Sequence, residues 1–139
     1  MKRLFTILLI PVSLWAGPMG SVPQALPHYG FVESEVLAAF ETIKREIQED
    51  NVSALSKRIS YPIKFWGKVN VNNPKDFITA YSKLITPKWK KAILKTAFTE
   101  LMVTTEGVGF PRGRLWFTVG CITDPCSERT AKIIAFNSW

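Results

Sequence analysis

Few groups in this chain are equipped for chemistry, and each has a structural job close at hand. The sole histidine, His28, sits between Pro27 and Tyr29 in a proline-rich stretch with no regular element to hold it as a base. Asp76 falls in the first turn after Asn73-Pro74, where a carboxylate offsets the positive end of a helix. Asp124 belongs to turn chemistry. Glu100 alternates with Phe98 and Met102 on one side of a strand-like run, so it is the weak candidate for a catalytic acid facing an apolar pocket. No G-x-S-x-G motif is present. Gly107, Gly109 and Gly113 lie between two strand-like runs and read as a wide turn, not as a phosphate loop. Cys121 and Cys126 have C-x4-C spacing, not the C-x-x-C of thiol oxidoreductases. Two thiols and a distant imidazole do not complete a tetrahedral metal site. The pair reads as a structural disulfide formed in an oxidising compartment, closing a short loop worth about 2 kcal/mol. No cofactor and no metal are expected.

The other candidates are aromatic or cationic. Tyr61, Trp66, Tyr81, Trp89 and Trp116 either line a recognition face or fill a core. Arg112 and Arg114 bracket Gly113 at a strand entrance, placed to take an anionic group or to keep an edge strand in water. These seven are the candidate ligand or partner contacts. Lys88, Lys91 and Lys95 share one face of a helix and Trp89 and Ile93 another. That is a solvated face over a buried one, with attraction to an anionic envelope surface or an acidic partner as the functional version. A basic stripe carrying a nucleic-acid motif is missing, so no nucleic-acid partner is expected.

The elements that must position these residues follow from periodicity and punctuation. Lys2 and Arg3, the apolar run Leu4–Trp15 broken by Pro11, and small residues at Ala16 and Gly17 form a signal peptide over 1–16, shorter than a membrane span. Residues 17–32 read as a flexible leader, and 33–139 as one domain. Export to the periplasm follows, with secretion as the other destination. Of the formal charge of +7, Lys2 and Arg3 carry two units, which leaves a mildly basic mature chain.

Val36, Phe40, Ile43 and Ile47 recur at helical spacing behind Ser34 as cap. Ser53 caps a short helix with Leu55 and Ile59, and Tyr61-Pro62 ends it. Ile63–Trp66 and Lys68–Val71 are short strands. Asn73-Pro74 starts a helix whose buried face is Phe77, Ile78, Tyr81, Leu84 and Ile85. Thr86-Pro87 starts the lysine-bearing helix. Phe98–Thr104 reads as a long strand, Glu106–Gly113 as a turn, and 114–122 with 130–136 as a stapled hairpin. Helices first and a three-stranded meander last define an α+β domain: N-terminal helices on a curved, mainly antiparallel sheet.

The order of Tyr61-Pro62, Phe77-Ile78-Thr79-Ala80-Tyr81, Gly107-Val108-Gly109-Phe110-Pro111-Arg112-Gly113-Arg114-Leu115-Trp116-Phe117 and Lys132-Ile133-Ile134-Ala135-Phe136-Asn137 resembles small exported bacterial proteins of the nuclear-transport-factor-two-like (SnoaL-like, cystatin-like) superfamily. The chain departs from that group at Pro111, where glycine is usual, and at Ser82, where an acid often follows the tyrosine. The resemblance implies a cone-shaped fold, its sheet wrapped around a helix over an apolar cavity, and leaves room for a homodimer through the sheet. Fold alone does not assign function. The expected role is an exported, non-enzymatic binding domain for a protein partner or a small apolar ligand, immunity-like or inhibitor-like in kind. The alternative is a small cavity isomerase or lyase using Glu100 or a tyrosine to carry protons.

Overall fold

The computed structural model describes residues 22–137, so the signal expected over 1–16 lies outside the described residues. The domain is α+β, with helices packed on a mixed six-stranded open sheet. A helical turn, α1 (Val22–Ala25), leads into a 3₁₀ turn, Leu26–Tyr29, and Leu26 is fully buried. Within the described part of the expected leader, 22–32, Leu26 is an anchor in the core.

Helix α2 (Glu33–Gln48) buries Val36, Ala39, Phe40, Ile43 and Ile47, the expected stripe. Its cap is the extended Val32, with no side-chain bond, and Ser34 lies inside the helix. Helix α3 (Val52–Arg58) is capped by Asn51, whose side-chain oxygen accepts the Ala54 N–H at 3.2 Å, two residues before the expected Ser53. Asn73 caps α4 (Pro74–Leu84) by accepting the Asp76 N–H at 2.9 Å. Thr86 caps α5 (Pro87–Leu94) in the same way through Trp89 at 3.2 Å. In α4, Phe77 is fully buried but Ile78 is 50% exposed, so the expected apolar face is narrower by one residue.

The strands are β1 (Ile63–Phe65), β2 (Val69–Val71), β3 (Met102–Val103), β4 (Val108–Gly109), β5 (Leu115–Cys121) and β6 (Arg129–Phe136). Their order is β2-β1-β6-β5-β4-β3. All pairs are antiparallel except β1 with β6, which run parallel and meet at Phe65 and Phe136. The early hairpin β1–β2 thus joins the late meander through β6. The long strand expected over Phe98–Thr104 is not formed. Phe98–Glu100 is a 3₁₀ turn, and only Met102–Val103 is extended. The expected turn over Glu106–Gly113 instead holds β4, so the meander has a fourth strand.

Helix α2 packs over β5 and β6. Between them Phe40, Phe98, Phe110 and Phe117 pack ring against ring, with centroids 5.5–6.1 Å apart. At the other end Phe65 stacks on Phe136 at 4.2 Å, flanked by Phe77 and Trp89. Alternation on β5 and β6 buries Leu115, Phe117, Ala131 and Ile133 under the helices. The intervening residues, Trp116, Thr118 and Lys132, are half-buried on the opposite side. A one-face-buried sheet of this kind is the usual outcome of period-two patterning.

Candidate functional site

Two surfaces draw together residues able to bind. The first is the side of the sheet away from the helices. In β4, Gly109 pairs with Trp116 of β5 and with Met102 of β3, so the three share one side. The indole lies flat on the glycine: a Cβ at Gly109 would stand 2.8 Å from Trp116 Cδ2, Cε2 and Cη2. Ile134 does the same at Gly107, where a Cβ would stand 3.0 Å from its Cδ1 and 2.6 Å from the Phe117 carbonyl oxygen. Ile134 is the extra residue of a bulge, because Trp116 faces Ala135 while Phe117 faces Ile133. The two glycines are therefore seats for large side chains, an arrangement that restores apolar cover to a strand lacking its own. Around the indole runs an open groove of about 460 Å³ lined by Thr104, Glu106, Trp116, Ile134, Ala135 and Asn137. Met102 is 39% exposed beside it.

The second surface is a cleft of about 460 Å³ between α5 and the 3₁₀ turn Pro111–Gly113. Lys88, Lys91 and Lys95 line it from the helix, with Arg114 and Pro111 across from them and Ala92 and Thr96 also in its wall. Glu100 is at the same cleft, and its Oε1 accepts the Ala97 N–H at 3.0 Å. The lysine face was legible from spacing, and Trp89 and Ile93 are buried on the other side as expected. Arg114 was expected only at a strand entrance. Its Nη1 donates to the Pro111 carbonyl at 3.3 Å, while its Nε is buried with no partner among the described residues. Arg112 stands beside it, exposed, in the left-handed region at φ 61°.

The remaining candidates are structural anchors. Trp89 is 4% exposed and its indole N–H donates to the Asn137 carbonyl at 3.2 Å. Asn137 in turn donates through Nδ2 to the Gly113 carbonyl at 2.6 Å, which ties α5 to the turn before β5. Trp66 is half-buried in the β1–β2 turn, where it and Gly67 both have positive φ. The Tyr61 hydroxyl donates to the Ser56 carbonyl at 2.6 Å, and burial, helped by the Asp76 charge, pushes its pKa to about 12. The Tyr81 hydroxyl donates to Asp50 Oδ1 at 2.8 Å, and Lys90 reaches Oδ2 at 2.9 Å. Burial and then the Asp50 hydrogen bond raise Tyr81, while bonds from Lys90 and Tyr81 hold Asp50 below the usual carboxylate range. A tyrosine so held is a poor proton carrier near neutrality. Glu100 is exposed, its carboxylate occupied as a cap. Glu100 is therefore not set in an apolar pocket.

Spacing did not reveal the pair Glu46–Arg58. Arg58 Nε and Nη2 reach the two Glu46 oxygens at 2.6 and 2.9 Å, and Nη1 donates to Thr130 Oγ1 at 2.8 Å. The pair is nearly sealed from solvent and fastens α2 and α3 to β6. The available signal was Glu46 itself, a carboxylate three residues after Ile43 on an otherwise apolar stripe. Cys121 and Cys126 form the expected disulfide, with Cα atoms 5.3 Å apart, at the end of β5. No helix among the described residues is long and apolar enough to cross a membrane. Compared with protein-family models, curated proteins and solved structures, the chain finds no match.

Proposed function

We propose that this chain is an exported, non-enzymatic binding domain of the nuclear-transport-factor-two-like kind that engages a protein partner through the uncovered side of its sheet. The observation that carries this reading is the seating of Trp116 on Gly109. Two glycines in register hold a tryptophan and an isoleucine flat and half-exposed on strands whose other side is the core. A rigid, preplaced indole ringed by polar groups is the usual anchor of a protein interface. Small apolar ligands are taken by concave pockets that bury most of their surface, whereas the indole stands half-exposed on the uncovered side of a sheet. Helices that precede a meander, with α2 laid along β5 and β6, support the superfamily reading. The disulfide fits an oxidising compartment, and the periplasm is the destination proposed.

Site-specific photocrosslinking in the exporting cell tests this. A photoreactive residue at Met102 or Thr118, both on the proposed face, is expected to give one discrete adduct. The same probe at Glu41, exposed on α2, is expected to give none, and Trp116→Ala is expected to abolish the adduct. An adduct of twice the chain mass identifies the partner as a second copy. Equal labelling at all three positions, or labelling indifferent to Trp116→Ala, overturns the proposal.

A further inference from the structure

The cleft between α5 and Pro111–Gly113 is independent of the sheet face and has its own chemistry. It gathers four cations, Lys88, Lys91, Lys95 and Arg114, against one carboxylate, Glu100. Two neighbouring lysines are committed elsewhere. Lys90, on the same helix, is taken by Asp50 at 2.9 Å, and Lys44 by the Thr96 carbonyl at 2.8 Å. By contrast, Lys88, Lys91 and Lys95 make no ion pair or side-chain hydrogen bond among the described residues. Spacing puts all three on one helical face, so they point one way.

Arg114 completes the site from a different element. One guanidinium nitrogen is spent on Pro111, yet the Nε donor is buried without an acceptor. Leaving such a donor unmet is costly, and native structures rarely do so without a reason. An oxyanion entering beside the guanidinium supplies the acceptor once the side chain turns its Nε toward the cleft. The guanidinium fork matches two oxygens of one phosphate, and the three ammonium groups meet the remaining charge as point cations. A volume of about 460 Å³ exceeds what a bare anion needs, and Ala92, Thr96 and Pro111 offer a wall for an organic body.

We propose that this cleft binds a phosphate group carried on a small organic body, with Arg114 as the directional contact and Lys88, Lys91 and Lys95 as the charge-matching set. Glu100 stays at the site as its own turn's cap, and its charge disfavours polyanions of high density relative to a single phosphate. A glycerol-borne phosphate with at least two non-bridging oxygens occurs both in soluble phosphomonoesters and in the phosphodiester headgroups of glycerophospholipids.

The test uses the mature full-length chain and two probes, glycerol 3-phosphate and vesicles of phosphatidylglycerol in phosphatidylcholine, with pure phosphatidylcholine vesicles as reference. The readouts are the affinity and the nitrogen–proton resonance of the Arg114 Nε. Saturable binding that moves this resonance is expected with glycerol 3-phosphate, with the vesicles, or with both, and the pattern names the source. Lys91→Ala with Lys95→Ala, both exposed and so safe for folding, is expected to weaken binding by about tenfold, the worth of one lost charge-assisted contact. Lys75→Ala with Lys83→Ala, both exposed on α4, removes the same two charges elsewhere and is expected to leave affinity within about twofold. Equal losses in the two variants, no movement of the Arg114 resonance, or no saturation with either probe by about 10 mM phosphate overturns the proposal. None of these outcomes bears on the crosslinks at the sheet face.

Discussion

Gly109→Ala is a small change with a calculable consequence. The backbone there is ordinary for an L residue, since no positive φ is involved. Exchanging glycine for alanine at a compatible position restricts the unfolded chain and stabilises by about 0.4–1 kcal/mol. Against that stands the ring of Trp116, three of whose atoms lie 2.8 Å from the new methyl. Carbon atoms prefer about 3.5–4.0 Å, so the indole must withdraw by about 1 Å from its seat. Overpacking of this size costs about 1–3 kcal/mol, and the sum is a loss of about 1–2 kcal/mol. In a Trp116→Ala background the obstacle is gone, and the same exchange is expected to become neutral or stabilising. Gly107→Ala provides the contrast. Its methyl would meet the Phe117 carbonyl oxygen at 2.6 Å, which is backbone, so removing Trp116 brings no relief. Urea denaturation followed by far-ultraviolet circular dichroism, with the slope checked for constancy, reads both glycine variants in both backgrounds. An equal cost for Gly109→Ala in both backgrounds refutes the seating of Trp116 and, with it, the preplaced anchor.

Two further outcomes are expected. Arg58→Met leaves the Glu46 carboxylate buried without its partner and is expected to cost about 3–5 kcal/mol. The double variant Glu46→Leu with Arg58→Met is expected to recover most of that loss, and a single-variant loss below about 1 kcal/mol in urea denaturation would mean that the pair is solvated. Tyr61 ionises at about 12 in the folded chain against 10.0 unfolded, so its contribution is complete below pH 10.0 and is lost as pH rises towards 12. Tyr61→Phe should flatten the fall in denaturation midpoint over that window, and an unchanged slope would show that the hydroxyl is not sheltered.

Local chemistry was readable where cause and effect are neighbours in sequence. Asn73-Pro74 started a helix because the cap and the fixed φ act within three residues. The lysine face and the Trp89–Ile93 face separated because helical spacing alone separates them. What escaped was set by partners far along the chain. Glu100 sat in an alternating pattern, yet its carboxylate reaches back to the Ala97 N–H and curls the segment into a 3₁₀ turn. Gly107 and Gly109 read as turn residues because nothing local says that an indole and an isoleucine side chain will lie on them. Arg114 faces a helix some twenty residues earlier, and Asp50 collects Tyr81 and Lys90 over separations of 31 and 40 residues. The face and the cleft were both invisible as units for the same reason, although Trp116, Arg114 and the lysines were each visible singly.

The place of β6 in the sheet has a consequence for the order of events during synthesis. It is the last of the described strands to be made, yet it lies between β1 and β5 and also receives Ile59. Until Arg129–Phe136 has emerged, the β1–β2 hairpin has no neighbouring strand, and Arg58 lacks Thr130. A nascent chain stopped short of this strand holds only two unconnected ribbons and some helices. Assembly of the six-stranded sheet therefore waits on the last of the described strands to be made.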